Sequence, residues 1–170
     1  MFKARFRRFS GLAATIALGL GVVVACGDAG PADFDLYSAP PRSTNVDAGS
    51  PGPGNGDFTT FSAEVSNVNG ETVGWLYGTK TIAAAPGEAG LPDDRAMFIN
   101  SLVFTFDDGS TISVLGSQSA TLGSTGYNGS ADPGDRAIVG GTGTYAGVTG
   151  TLTTSLGPND SRLQEFRFSS

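Results

Sequence analysis

Histidine is absent from the 170 residues and cysteine occurs once, at Cys26. The two scarcities remove Ser-His-Asp and Cys-His nucleophilic catalysis, and with them the usual nitrogen and sulfur zinc sites. A single cysteine also forbids an intrachain disulfide, although exported proteins often use one. Basic residues are few: 10 Lys and Arg stand against 16 Asp and Glu, for a net charge of −6. Lys3, Arg5, Arg7 and Arg8 account for four of them, and without these the formal charge is −10. So acidic a chain repels phosphate backbones, and no basic stripe with interleaved aromatics offsets that, which excludes nucleic acid as the expected partner. A bilayer-spanning run is lacking too. The apolar stretch Gly11 to Ala25 would rise about 22 Å as a helix, short of a hydrocarbon core of roughly 30 Å.

A basic start followed by a short apolar run is the pattern of an export signal. The run ends in Val23-Val24-Ala25-Cys26, which resembles a bacterial lipobox, with Val23 where leucine is usual. On that reading residues 1–25 are a lipoprotein signal peptide and Cys26 carries the lipid. Gly27 stands where an aspartate would signal retention in the inner membrane, so the expected location is the cell envelope, at the outer membrane where one exists. Residues 26–56, rich in Gly, Pro, Ala, Ser and Asp and closing in PGPGNG, have little apolar periodicity and are read as a flexible linker. Its average reach is roughly 30 Å.

Residues 57–170 make one domain, long enough for a core. Apolar and β-branched runs alternate with Gly, Pro and Asp clusters, and no window longer than ten residues has helical periodicity. Strands are expected near 58–68, 71–83, 96–106, 110–118, 135–141, 144–156 and 162–169. Asp107-Asp108-Gly109 reads as a hairpin turn. In the strand before it, Phe98, Leu102, Phe104 and Phe106 share one parity while Met97, Ile99 and Val103 share the other. Both faces therefore want cover, as a barrel wall does.

Ala137 to Leu152, AIVGGTGTYAGVTGTL, joins an apolar strand to a glycine-punctuated one. Gly141-Thr-Gly143 after a strand suggests a phosphate loop, but the third glycine falls at 147 and no helix follows to face an anion. A bent barrel corner remains. The paired acidic residues Asp93-Asp94 and Asp107-Asp108 lack the alternating spacing of a calcium loop and read as solvated turns, so no metal and no cofactor are expected.

Three stretches taken together are similar to the allene oxide cyclase and dirigent barrel superfamily. They are Ser101-Leu-Val-Phe-Thr-Phe-Asp-Asp-Gly-Ser-Thr-Ile-Ser-Val-Leu-Gly116, Arg136-Ala-Ile-Val-Gly-Gly-Thr-Gly-Thr-Tyr-Ala-Gly-Val-Thr-Gly150 and Glu165-Phe-Arg-Phe168. The resemblance covers essentially all of 57–170. It implies an all-β, eight-stranded antiparallel β-barrel with a small hydrophobic molecule, lipid-like or phenolic, in its lumen, and assembly as a homotrimer. It also implies a site: plant cyclases carry a first-strand glutamate in a Glu-x-Asn context, which corresponds to Glu64 with Ser66 in place of the asparagine. A carboxylate in an apolar lumen could steer a cation-like ring closure. The alternation of Ser62, Glu64 and Ser66 with Phe61, Ala63 and Val65 equally permits a solvated strand face. Trp75 and Tyr77, of one parity on the second strand, are candidates to line the lumen or the core. Two functions follow, a ligand-binding barrel on a lipid tether or an isomerase of the cyclase type using Glu64, and fold alone does not choose between them.

Overall fold

The computed structural model describes residues 30–122 and 134–169. Its elements are β1 (Phe34–Ser38), β2 (Arg42–Val46), β3 (Phe58–Ser66), β4 (Thr72–Ala84), β5 (Arg95–Phe106), β6 (Thr111–Thr121), β7 (Gly134–Thr142), β8 (Gly150–Leu156) and β9 (Arg162–Phe168). Two short 3-10 turns, Gly143–Tyr145 and Pro158–Asp160, complete them. The strands from β3 to β9 pair antiparallel in chain order, and β1 pairs with both β9 and β3, which closes an eight-stranded barrel.

The eighth stave is two pieces of one strand. Ser38 opposes Val65 and Arg42 opposes Ser62, so β1 and β2 run consecutively along β3. Between them stand Pro40 and Pro41, which lack the N–H a ladder needs and break the strand. Only β1 also pairs with β9, from Phe34 with Phe166 to Ser38 with Arg162. Among the described residues β2 has β3 as its sole partner, so the wall is unjoined beside it.

The barrel therefore begins at Phe34 and not at 57, and part of the expected linker is structure. Phe34, Leu36 and Ser38 alternate inward with burial rising along β1, a pattern too short to stand out inside a Gly- and Pro-rich stretch. The loop after β2 is also tied down. Asp57, almost fully buried, accepts hydrogen bonds from Ala48 N at 2.8 Å and Gly54 N at 2.7 Å.

Residues of one parity on each strand form the core: Val65, Phe104, Ile112, Val114, Leu152 and Phe166 are completely enclosed. Burying one such side chain contributes about 1.5–3 kcal/mol. One end of the barrel is stoppered by rings. Phe34 stacks on Phe166 at 4.6 Å, and Phe106, Tyr145 and Phe168 pack around it. The glycine-rich stretch forms the corner at that end, with a 3-10 turn where the expected strand would have begun at 144. Gly150, at φ 155°, lies so close to β9 that a methyl group there would collide with the Arg167 carbonyl oxygen.

Candidate functional site

Register stacks the inward side chains in layers. Phe61, Gly78, Leu102, Val114 and Ile138 are directly opposed in sequence around the wall, and Ala63, Leu76, Phe104 and Ile112 form the layer below. Gly78 makes room for the Phe61 ring: an added methyl would overlap that ring and stand 2.8 Å from Leu102 Cδ2. These two layers are the apolar floor.

Above the floor the inward positions turn polar. Thr59 opposes Lys80, Lys80 opposes Asn100, and Asn100 opposes Gly116. Gly116 in turn makes room for its other neighbour, because a methyl there would stand 2.7 Å from Arg136 Cγ. The Arg136 stem thus lies over β6. Its Nη1 donates to Thr154 Oγ1 at 2.8 Å and its Nη2 to Gln118 Oε1 at 2.5 Å. Thr154 Oγ1 donates on to Gln164 Oε1 at 2.8 Å, and Gln164 Nε2 donates to Ser38 Oγ at 3.1 Å. One chain of hydrogen bonds therefore links β6, β7, β8, β9 and β1 and fixes the belt.

Floor and belt enclose a cavity of about 410 Å³. It reaches the surface past Pro41, Ser43, Ser155, Leu156 and Arg162, beside the stretch where β2 is unjoined to β9. The volume lies in the range of roughly 300–1,000 Å³ usual for small-molecule sites. Lys80, Arg136 and Arg162 line it, and none of its described lining residues is acidic. Burial pushes the Lys80 ammonium and the Arg136 guanidinium below their ordinary pKa values, because a low-dielectric wall disfavours the charged form. Lys80 Nζ also sits 5.2 Å from the centre of the Phe98 ring.

Two buried donors at this belt have no acceptor among the described residues: Arg136 Nε, on a residue 7% exposed, and Asn100 Nδ2, on a residue 4% exposed. Leaving such a donor unsatisfied costs about 1–3 kcal/mol. An acceptor supplied from the cavity would recover that cost.

The residues singled out by resemblance lie elsewhere. Glu64 is exposed, on the outward parity of β3, and its Oε1 accepts a hydrogen bond from Thr72 Oγ1 at 2.8 Å. Ser66 shares that parity at the end of the strand. Trp75 and Tyr77 stack on each other at 6.4 Å on the outer face of β4, where Tyr77 is 49% exposed. The solvated-face alternative for Glu64 is thus the one realised, and neither aromatic belongs to lumen or core. The physical reason is common to all four: Ala63 and Val65, and Leu76 beside Gly78, carry the apolar burial of β3 and β4, which turns their neighbours outward. Cys26 lies outside the described residues.

Lys80, Asn100, Gln118 and Gln164 belong to no motif in the sequence, and Arg136 is marked there only by its place beside the glycine-rich stretch. A usable signal existed in β5, where Asn100 interrupts an inward series of Phe98, Leu102 and Phe104.

No family model matches the sequence, and no curated protein matches it. Solved structures do. A pyocyanin demethylase is similar at 25% identity over 81% of this chain and 98% of that one, with a TM-score of 0.59. A Diels-Alderase from Streptomyces koyangensis is similar at 18% identity over 84% of this chain and 68% of that one, with a TM-score of 0.53. A pterocarpan synthase dirigent protein is similar at 18% identity over 81% and 92% of the two chains, with a TM-score of 0.52. The chain therefore shares an antiparallel barrel fold with these structures, the fold that its resemblance to the allene oxide cyclase and dirigent superfamily implied.

Proposed function

We propose that the barrel binds one small organic molecule in its lumen, with an apolar body on the floor of Phe61, Leu76 and Leu102 and a polar end in the belt. The observation that carries this is the cavity itself, apolar below and furnished with unsatisfied buried donors above. Support comes from the similar structures, whose names describe a demethylase of pyocyanin, a Diels-Alderase and a dirigent protein that is a pterocarpan synthase. All three names imply small organic molecules. The outward Glu64 withdraws the carboxylate on which a cyclase mechanism would have relied.

The proposal extends to placement. A signal peptide over 1–25 and a lipid on Cys26 would hold the barrel at the cell envelope. Labelled palmitate should enter the wild-type chain and not Cys26→Ser; label in both would overturn the anchor.

The binding reading is tested with the neutral fluorophore N-phenyl-1-naphthylamine. Its emission should rise saturably at one probe per barrel and should be lost in Ala63→Phe, which fills the floor, provided that variant still unfolds cooperatively. An equal rise in the filled variant would place the probe on the surface and sink the proposal.

A further inference from the structure

The charge of the cavity runs against the charge of the chain. A protein of net charge −6 has gathered Lys80, Arg136 and Arg162 around one interior space whose described lining holds no acid. Arg136 is the sharpest case. Its two hydrogen-bond partners, Thr154 and Gln118, are both neutral, and Nε has no acceptor among the described residues. A buried cation normally comes with an anion, because the desolvation it suffers is offset only by an opposite charge with good hydrogen-bond geometry.

Its surroundings are built for an incoming acceptor. Gly116 lies directly opposite Asn100 and in contact with the Arg136 stem, so the two residues flank the same side-chain-free position on β6. Both contribute a buried donor with no acceptor. A carboxylate is the smallest group that supplies a negative charge and two acceptor oxygens at once, and its hydrogen bonds to a guanidinium are of the stronger, charge-assisted kind. The floor beneath is apolar and includes the Phe61 ring over Gly78, which suits a flat hydrocarbon body.

Resting on the lumen being the ligand site, we propose that the barrel selects apolar carboxylates, the carboxylate taken by Arg136 Nε and Asn100 Nδ2 and the hydrocarbon body by the floor. Neutral isosteres of the same shape lack the charge. Organic cations meet repulsion from the Arg136 guanidinium.

The test uses three probes of one shape on the full chain: 2-naphthoate, the neutral 2-naphthamide and the cationic 2-naphthamidine, each titrated calorimetrically and in competition with N-phenyl-1-naphthylamine. The naphthoate should bind at least tenfold more tightly than the amide, and the amidine most weakly. Arg136→Gln should remove that preference, bringing naphthoate down to the affinity of the amide in the same variant. Asn100→Asp keeps the shape of the residue and adds a negative charge, so it should weaken naphthoate and improve the amidine. Equal binding of naphthoate and amide, or a parallel loss of both in the Arg136 variant, overturns the carboxylate inference and leaves the lumen reading standing. Failure of all three probes to compete with the fluorophore overturns both.

Discussion

Arg136 occupies the space that Gly116 leaves, its Cγ 2.7 Å from where a methyl group on that glycine would stand. The two residues sit on adjacent strands, and the stem crosses β6 toward Gln118 because that strand carries no side chain at Gly116. Gly116→Ala should therefore force the stem aside and strain the wall, at about 1–3 kcal/mol. Chemical denaturation measures the loss. Gly116→Ala combined with Arg136→Ala should cost less than the two single changes added, whereas simple additivity would show that the contact is not made.

Gly78 and Phe61 stand in the same relation one layer lower. Gly78→Ala should destabilise by about 1–3 kcal/mol through overpacking. In the Phe61→Leu background that cost should shrink by at least half, since the crowding ring is gone. A double-mutant cycle reads the coupling directly.

Starting the chain at residue 57 should leave β3 and β9 with open edges and strip Phe34 and Leu36 from the core. Such a fragment should fail to show cooperative unfolding or should aggregate, while one starting at residue 30 should unfold in a single transition. Equal behaviour of the two would mean that β1 contributes nothing to closure.

That experiment also marks where the sequence was readable and where it was not. The expected strands from 58 to 169 lie within three residues of β3 to β9, apart from the start of β8, which comes six residues later than expected, because long apolar and β-branched runs such as Met97 to Phe106 are bounded by turn residues. Phe34-Asp-Leu-Tyr-Ser38 is only five residues long, surrounded by loop composition, and its strand character depends on partners far away in the chain. The site failed differently. Glu64 is marked only by analogy with one motif, whereas direction on a strand is settled by which parity buries the larger apolar surface, here Ala63 and Val65. Arg136 was visible beside the glycine-rich stretch, but its inward course depends on the absence of a side chain at Gly116 on another strand.

Glu64→Gln follows from the corrected placement. The side chain is exposed and its one described partner is the Thr72 hydroxyl, so the change should alter stability by no more than about 0.5 kcal/mol. Probe affinity should be unchanged. A large loss of binding would return the carboxylate to the site.

Lys80 gives a pH dependence with a definite sign. Its pKa in the folded barrel is lowered by burial from the ordinary 10.5, so between the lowered value and 10.5 the unfolded chain holds more protons than the folded one. Stability attributable to this residue therefore rises with pH across that window, and the penalty is fully present below it. Replacing the ammonium in Lys80→Met should flatten that alkaline rise in urea midpoints measured between pH 7 and 10. An identical slope in the variant would contradict the burial effect.

Chain direction gives the break at Pro40 and Pro41 a further meaning. The polypeptide comes in at Phe34, among the rings that stopper one end, and the cavity vents beside β2 toward the other. Anything that grips the residues ahead of Gly30 therefore holds the barrel by its stoppered base. A guest in the cavity therefore enters and leaves away from the end at which the chain joins the barrel.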